Sequence, residues 1–364
     1  MLILECERCG QQTPASAETW RCPSCGGPLS WRGPERLDRS AIRLELPSLW
    51  RYAAVLPVSP ARAVSLGETL TPLVAGTLDG TPVRYKLDFL LPSGSFKDRG
   101  AAVLISYLRS LGVTHVIEDS SGNAAAAIAA YAARAGIACT IFAPAHASAG
   151  KLVQAAAYGA RVVRVEGSRE DVAKAAIEAA AASPSASYAS HNWHPFFLEG
   201  VKTWALEVWE QLGYRLPDNL VAAAEAAGAV SRLPRIFAIQ PAACAPLDAA
   251  FRAGLADTLP VQPAPTIAEG TSIAAPVRGR EVLAAIRQSG GQTIAVSEAE
   301  IADALRELAR QGFYVEPTSA VAAAGVRHLL ASGVIGPSEE TVILLSGSGL
   351  KATETIGRLL ACES

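Results

Sequence analysis

Residues 81–135 read TPVRYKLDFLLPSGSFKDRGAAVLISYLRSLGVTHVIEDSSGNAAAAIAAYAARA. Their reading decides the fold class. Val83–Leu90 has the length and apolar content of a strand, and Pro92-Ser93-Gly94-Ser95 breaks it. From Phe96 to Leu111 the apolar residues Ala101, Leu104, Ile105 and Leu108 fall on one helical face. His115–Glu118 reads as a second strand and Asn123–Ala135 as an Ala-rich helix. The alternation continues with strands at Ala138–Ala143 and Arg161–Glu166 and helices at Gly150–Tyr158 and Glu170–Ala182. Later strands are expected at Leu220–Ala223, Ile236–Gln240, Thr293–Val296 and Val342–Leu345, with helices between them. Strands alternating with helices give a parallel α/β sheet covered on both faces.

The chain has 364 residues, enough for two domains, and its 50% hydrophobic and 18% charged composition suits buried cores. Its 32 Lys and Arg face 34 Asp and Glu, a formal net charge of −2, which gives no support to a nucleic-acid or anionic-membrane partner. The segment MLILECERCG carries Glu5 and Glu7 where a secretory leader would be basic, and the apolar stretch Asn123–Ala133 is too short to span a bilayer. A cytoplasmic location is expected.

Four of the seven cysteines, Cys6, Cys9, Cys22 and Cys25, form two C-x-x-C pairs, each followed by a glycine, Gly10 and Gly26. Two such turns can close a tetrahedral four-thiolate site for a structural Zn²⁺ with no open position for water. A disulfide pair or a rubredoxin-like iron site is the competing reading. Pro28 to Arg43, polar and broken by Pro34, reads as a linker.

In an open α/β sheet the chemistry lies beyond the carboxyl ends of strands, where helices begin. Two polar turns stand there. The first, Pro92 to Gly100, places Lys97 at a helix start, against the dipole preference. It is either a surface lysine paired with Asp98 or a lysine withdrawn from water that can form a Schiff base. The second, Ser120-Ser121-Gly122-Asn123, offers hydroxyls, an amide and backbone N–H groups suited to a carboxylate; alternatively Ser and Asn merely cap the helix.

GSFKDRG followed by SSGN, with a cysteine ribbon ahead of both, resembles threonine synthase and its close relatives among the fold-type II pyridoxal-phosphate enzymes. The likeness continues through Ala125–Ala135, Gly150–Val165, Asn192–Leu198, Val277–Val282, Glu316–Ala320 and Ser346–Lys351. It implies two doubly wound α/β domains of the tryptophan synthase β-like kind. The expected division is a zinc ribbon at 1–30, a linker and the first part of the large domain at 31–85, a small domain at 86–190, and the rest of the large domain at 191–364. The resemblance further implies that Lys97 carries pyridoxal 5′-phosphate and moves protons, and that Asn123 hydrogen-bonds the cofactor's phenolic oxygen. Ser120, Ser121 and Gly122 would hold the substrate carboxylate, Ser346 would face the pyridine nitrogen, and Gly270 would border the ring. The implied activity is that of a lyase in amino-acid biosynthesis that converts O-phosphohomoserine to threonine and phosphate. A dehydratase, a β-replacement enzyme and a cofactor-impaired, non-catalytic relative remain as alternatives. The expected partner is a small amino-acid substrate, with neither nucleic acid nor membrane; a homodimer is compatible with this reading.

Two departures stand out. Ser348 takes the place where the family commonly has His before its last Gly. The glycine-rich turn that cradles the cofactor phosphate in relatives has no counterpart after Leu220–Ala223. Gly228 is the only glycine between Gly213 and Gly254, and residues 224–235 barely suffice for a parallel crossover of about a dozen residues. Glu225 would repel a phosphate if it pointed into the site, whereas backbone N–H groups of Ala229–Leu233 could take over part of the anchoring. Among weaker candidates, His191 and His194 form H-x-x-H without a nearby carboxylate cluster, which reads as structural or substrate-lining rather than metal-binding. Arg278 and Arg280 flank Gly279 and read as a solvated helix start, with contact to an anionic substrate as the alternative.

Overall fold

The computed structural model describes residues 2–34, 36–145, 147, 149–183, 185–223 and 234–361. In chain order its elements begin with strands β1 (Ile3–Cys6), β2 (Gln12–Pro14), β3 (Leu29–Trp31), β4 (Leu73–Leu78) and β5 (Thr81–Lys86). Then follow α1 (Lys97–Ser110), β6 (His115–Glu118), α2 (Asn123–Ala135), β7 (Ala138–Pro144), α3 (Ala149–Ala157), β8 (Arg161–Val165) and α4 (Arg169–Ala181). Next are β9 (Ala186–Tyr188), α5 (Pro195–Val201), α6 (Thr203–Gln211), β10 (Asn219–Ala223), β11 (Arg235–Pro241), α7 (Pro246–Arg252) and α8 (Gly279–Ser289). The last are β12 (Thr293–Val296), α9 (Glu298–Arg310), α10 (Pro317–Ala331), β13 (Thr341–Leu344) and α11 (Thr353–Ala361). No described helix is long and apolar enough to cross a membrane.

The chain divides into two compact units, residues 1–70 with 91–204, and residues 71–90 with 205–364. In the first unit β8-β7-β6-β9 form a parallel four-stranded sheet, and β2-β1-β3 form a small antiparallel sheet around the cysteines. The second unit holds a six-stranded sheet, β12-β11-β10-β13-β5-β4, parallel except for the antiparallel edge strand β4. Strands β10 and β13 are buried at every position rather than at alternate ones, as strands covered on both faces must be. The α/β class and the parallel order therefore follow the sequence expectation.

The unit boundaries differ from the expected ones for identifiable reasons. Residues 31–70 pack with the first unit: the Val64 N–H donates to Ser106 Oγ on α1 at 2.7 Å, and Tyr131 on α2 donates to Glu68. Residues 191–204 join it too, because Gly200 lies so close to the Arg99 carbonyl that a Cβ there would overlap it. By contrast, Lys86 to Leu90 belong to the second unit. The Lys86 ammonium, fully buried, donates to Glu207 at 2.6 Å and to Gln211 at 2.9 Å, and the Phe89 N–H donates to the Leu345 carbonyl. Strand β5 ends at Lys86, so the expected strand Val83–Leu90 finishes as a turn of 3-10 helix over Asp88–Leu90. Leu29–Trp31, in the polar stretch Pro28 to Arg43 that reads as a linker, is the third strand of the ribbon, which thus extends past residue 30.

Candidate active site

In the first unit the candidate residues sit at helix starts that follow polar turns. Lys97 is the first residue of α1 and is 6% exposed, with its ammonium 4.6 Å from the Phe96 ring centroid. It is held by the turn before it: the Asp98 carboxylate accepts the Ser93 N–H at 2.6 Å and also the Ser93 hydroxyl. Ser95 Oγ in the same turn is fully buried and has no hydrogen-bond partner among the described residues. A buried hydroxyl without a partner costs free energy that a bound polar group would recover.

Strand β6 delivers the second turn. Ser120 is buried and its hydroxyl accepts the Gly122 N–H at 3.2 Å, while Ser121, Gly122 and Asn123 are half-exposed. Neither Ser nor Asn caps α2. The cap is Gly122, which has no side chain to offer, and an added Cβ there would meet nothing within 4 Å. Helix α2 thus has no side-chain cap at Gly122, and the place a side chain would take there is open, an arrangement suited to a carboxylate.

Strand β9, three residues long and absent from the sequence reading, brings His191 to the same edge. The Glu118 carboxylate faces His191 Nδ1 at 2.7 Å and accepts its backbone N–H at 3.1 Å. The carboxylate that sequence proximity does not reveal beside the histidine pair thus comes from the end of β6. Burial pushes the Glu118 carboxyl well above its ordinary range, and the charge of Asp119 adds to this; the His191 N–H, Arg169 and Lys97 oppose. Burial drives His191 well below its ordinary value, and Lys97 and Arg169 push the same way. Both shifts favour a neutral hydrogen-bonded pair over an ion pair. Next to it, Asp119 accepts from the hydroxyls of Tyr188 at 2.9 Å and Ser190 at 3.1 Å. His194 is buried, caps α5 through Nδ1, and burial brings it down to about 3. Of the described residues, the four cysteines form the one group of three or more potential metal ligands, so the histidines have no metal set.

In the second unit two candidates converge on the first turn of α10. The Ser346 hydroxyl, just beyond β13, lies 3.2 Å from Ser319 Oγ, and Ser319 Oγ also accepts the Gly347 N–H at 2.8 Å. Gly270 packs on the adjacent residue: a Cβ there would come within 2.8 Å of Thr318 Oγ1. Thr318 and Ser319 carry no assigned role in the sequence reading, although their position at a helix start is a usable signal. Glu316 packs against Gly347 closely enough to exclude any side chain at that glycine. Arg280 faces Asp257 at 4.0 Å on an exposed surface, as expected for a solvated helix start. Gly228, Glu225 and Ala229–Leu233 lie outside the described residues. Only the flanking strands are described there, and they pair in parallel from Asn219↔Arg235 to Ala223↔Ile239.

The four N-terminal sulfurs lie within 4.8 Å of one another, with Cys6 Sγ to Cys25 Sγ at 3.5 Å and Cys9 Sγ to Cys22 Sγ at 3.7 Å. Metal–sulfur bonds of about 2.3 Å in a tetrahedron separate the sulfurs by about 3.8 Å, so the spacing fits a single ion. At Cys22 burial opposes ionisation, but the N–H groups of Cys25 and Ser24 together with the neighbouring Cys9 and Cys6 thiols outweigh it and lower the thiol to about 6.

Comparison with known proteins gives a consistent result. The family described as "Pyridoxal-phosphate dependent enzyme" matches residues 64–347. The chain is 33% identical to threonine synthase of Methanosarcina acetivorans over 382 residues, covering 98% of this chain and 94% of the relative. It is also 33% identical to threonine synthase of Methanocaldococcus jannaschii, covering 96% and 93%. Of solved structures, a threonine deaminase of T.th. matches with a TM-score of 0.66 and 26% identity, covering 76% of this chain and 92% of that one. The first alignment spans more positions than this chain has residues, so that relative carries residues with no counterpart here.

Proposed function

The chain belongs to the pyridoxal-phosphate dependent enzymes and is threonine synthase-like, and from that premise we propose that it converts O-phosphohomoserine and water to threonine and phosphate. The observation that carries the proposal is the placement in one unit of buried Lys97 at the start of α1 and an uncapped Ser-Ser-Gly turn at the start of α2.

The residues of the first unit fit the cofactor: an amine withdrawn from solvent at Lys97 and a buried hydroxyl at Ser95 without a partner among the described residues. Pyridoxal phosphate, when bound, supplies an electron sink that acidifies the substrate's Cα proton. We assign to Lys97 the attachment of the cofactor and the movement of protons at Cα and beyond. To Ser120, Ser121 and Gly122 we assign the substrate carboxylate, and to Asn123 a hydrogen bond to the cofactor's phenolic oxygen. To Ser346, fixed against Ser319, we assign the pyridine nitrogen, and to Gly270 the border of the ring, as the resemblance implies. In the net reaction the bond from Cγ to the phosphate oxygen breaks, and a water oxygen ends on Cβ.

We further assign a structural zinc ion to Cys6, Cys9, Cys22 and Cys25, on the strength of four converging thiols and no fifth ligand in the group. The six described cysteines are free of disulfides, which suits a reducing cytoplasm. We keep the homodimer as the proposed assembly. The test of the site is chemical: titrate the protein with pyridoxal phosphate, treat with borohydride, and map the modified peptide. The proposal requires the label on Lys97. A label spread over surface lysines, or none at saturating cofactor, refutes it.

A further inference from the structure

The cysteine ribbon reaches the candidate active site through the side chain of Trp20. Trp20 stands two residues before Cys22, in a stretch that belongs to neither sheet. Its ring lies edge-on to Tyr188, with centroids 4.8 Å apart and planes at 71°, and edge-on to Trp193, at 5.5 Å and 83°. The Arg21 guanidinium covers the ring at 4.5 Å. A second tie runs alongside, from the Ser187 hydroxyl to the Ala17 carbonyl at 2.5 Å. Tyr188 and Trp193 bracket Ser190 and His191, the residues that β9 delivers to the edge of the sheet.

From there the connection to the carboxylate turn is short. The Tyr188 and Ser190 hydroxyls both bind Asp119, which immediately precedes Ser120, and His191 is held through its ring and its backbone N–H by Glu118. Two aromatic contacts and four hydrogen bonds thus link the ribbon to the turn that offers N–H groups to a substrate. Residues 15–21 have little regular structure of their own. What fixes Trp20 is the turn closed at Cys22, where the Cys22 N–H donates to Gly27 and the Gly26 N–H returns to Cys22. Edge-to-face aromatic pairs are directional, so losing the ring removes an orienting contact as well as buried area.

We propose that Trp20 is a positioning residue, through which the four-cysteine ribbon holds segment 188–194 and the adjoining Ser120–Gly122 turn in the geometry that receives the substrate. The kinetic consequence rests on the threonine synthase-like activity proposed above; the structural consequence does not, and the two are measured separately.

The experiment uses the full-length protein and the variants Trp20→Ala and Trp20→Phe, with metal content determined for each. Amide hydrogen exchange is followed by peptide, and KM and kcat are measured with O-phosphohomoserine. In Trp20→Ala, exchange at residues 188–194 should rise about tenfold while strands β6 and β7 stay protected and metal content is unchanged. KM should rise about tenfold with kcat within about threefold, because binding geometry rather than proton transfer is disturbed. Trp20→Phe, which keeps a ring against Tyr188, should recover most of both effects, and it carries the test if the alanine variant does not fold. Raised exchange at 188–194 in a protein inactive from the start would support the positioning role and refute the activity. Unchanged exchange at 188–194, or a rise spread evenly over the first unit, would overturn the inference.

Discussion

The helix-start positions of Lys97 and Asn123 are legible in the sequence because each directly follows a polar turn, where open α/β sheets place their chemistry. That of His191 is not. Its partner Glu118 lies far back along the chain, and nothing in H-x-x-H announces a carboxylate contributed by the end of β6. Ser319 is likewise silent in the sequence, since its contact with Ser346 exists only once α10 and β13 are packed. A residue-level prediction follows from His194, whose burial lowers it to about 3. Its unfolded value is near 6.5, so between these limits the unfolded chain binds the extra proton. Its contribution to stability is therefore complete above about pH 6.5 and falls by about 1.4 kcal/mol for each pH unit toward pH 3. Denaturant unfolding at pH 7.5 and pH 5 should show this loss in the parent and a smaller one in His194→Leu. Equal pH dependence in the two proteins would mean that His194 titrates normally.

Elements were recovered wherever periodicity was long enough to read. Asn123–Ala135, His115–Glu118 and Thr293–Val296 match the expected limits. Short elements failed: Ala186–Tyr188 has only three residues, too few for any alternation, and its status as a strand depends on pairing with β6. Helix α5 also belongs to a contact rather than to a pattern, since Gly200 lets it approach the α1 backbone at Arg99 and Phe197 covers Gly100. Gly200→Ala would force the two helices apart, at a cost of about 3 kcal/mol. Thermal unfolding should register this as a clear fall in Tm; an unchanged Tm would show that α5 can shift freely. The ribbon gives a second element-scale prediction. Cys9→Ser combined with Cys25→Ser should remove zinc from the purified protein and destabilise the first unit, because folding and metal binding are linked. Metal analysis showing full zinc content in that variant would place the ion elsewhere.

For the molecule as a whole, the two α/β units were legible from the alternation of strands and helices, but their boundaries were not. The chain passes between units at residues 70–71, 90–91 and 204–205, and neither the first nor the last of these carries a linker composition, while the Pro-Ser-Gly turn at 92–94 reads equally well as a loop within one domain. The crossings are defined by contacts such as Lys86 with Glu207 and Val64 with Ser106. The connection between β10 and β11 bears on cofactor affinity. Each hydrogen bond from a backbone N–H to a charged phosphate is worth about 1.5–3 kcal/mol. A chain missing two or more of them should bind pyridoxal phosphate about two to four powers of ten more weakly than the same chain with a glycine-rich turn and helix inserted after Ala223. Titration of the two proteins compares them directly; equal, tight binding would show that other groups hold the phosphate. The central claim is the lyase reaction at Lys97, and the measurement that tests it most directly is product formation from O-phosphohomoserine at saturating pyridoxal phosphate. The account predicts that the parent releases threonine and phosphate in equal amounts, and that Lys97→Ala, folded and zinc-loaded, releases neither. Threonine formation by Lys97→Ala at a rate close to the parent's, or none from the parent with cofactor bound at Lys97, would contradict it.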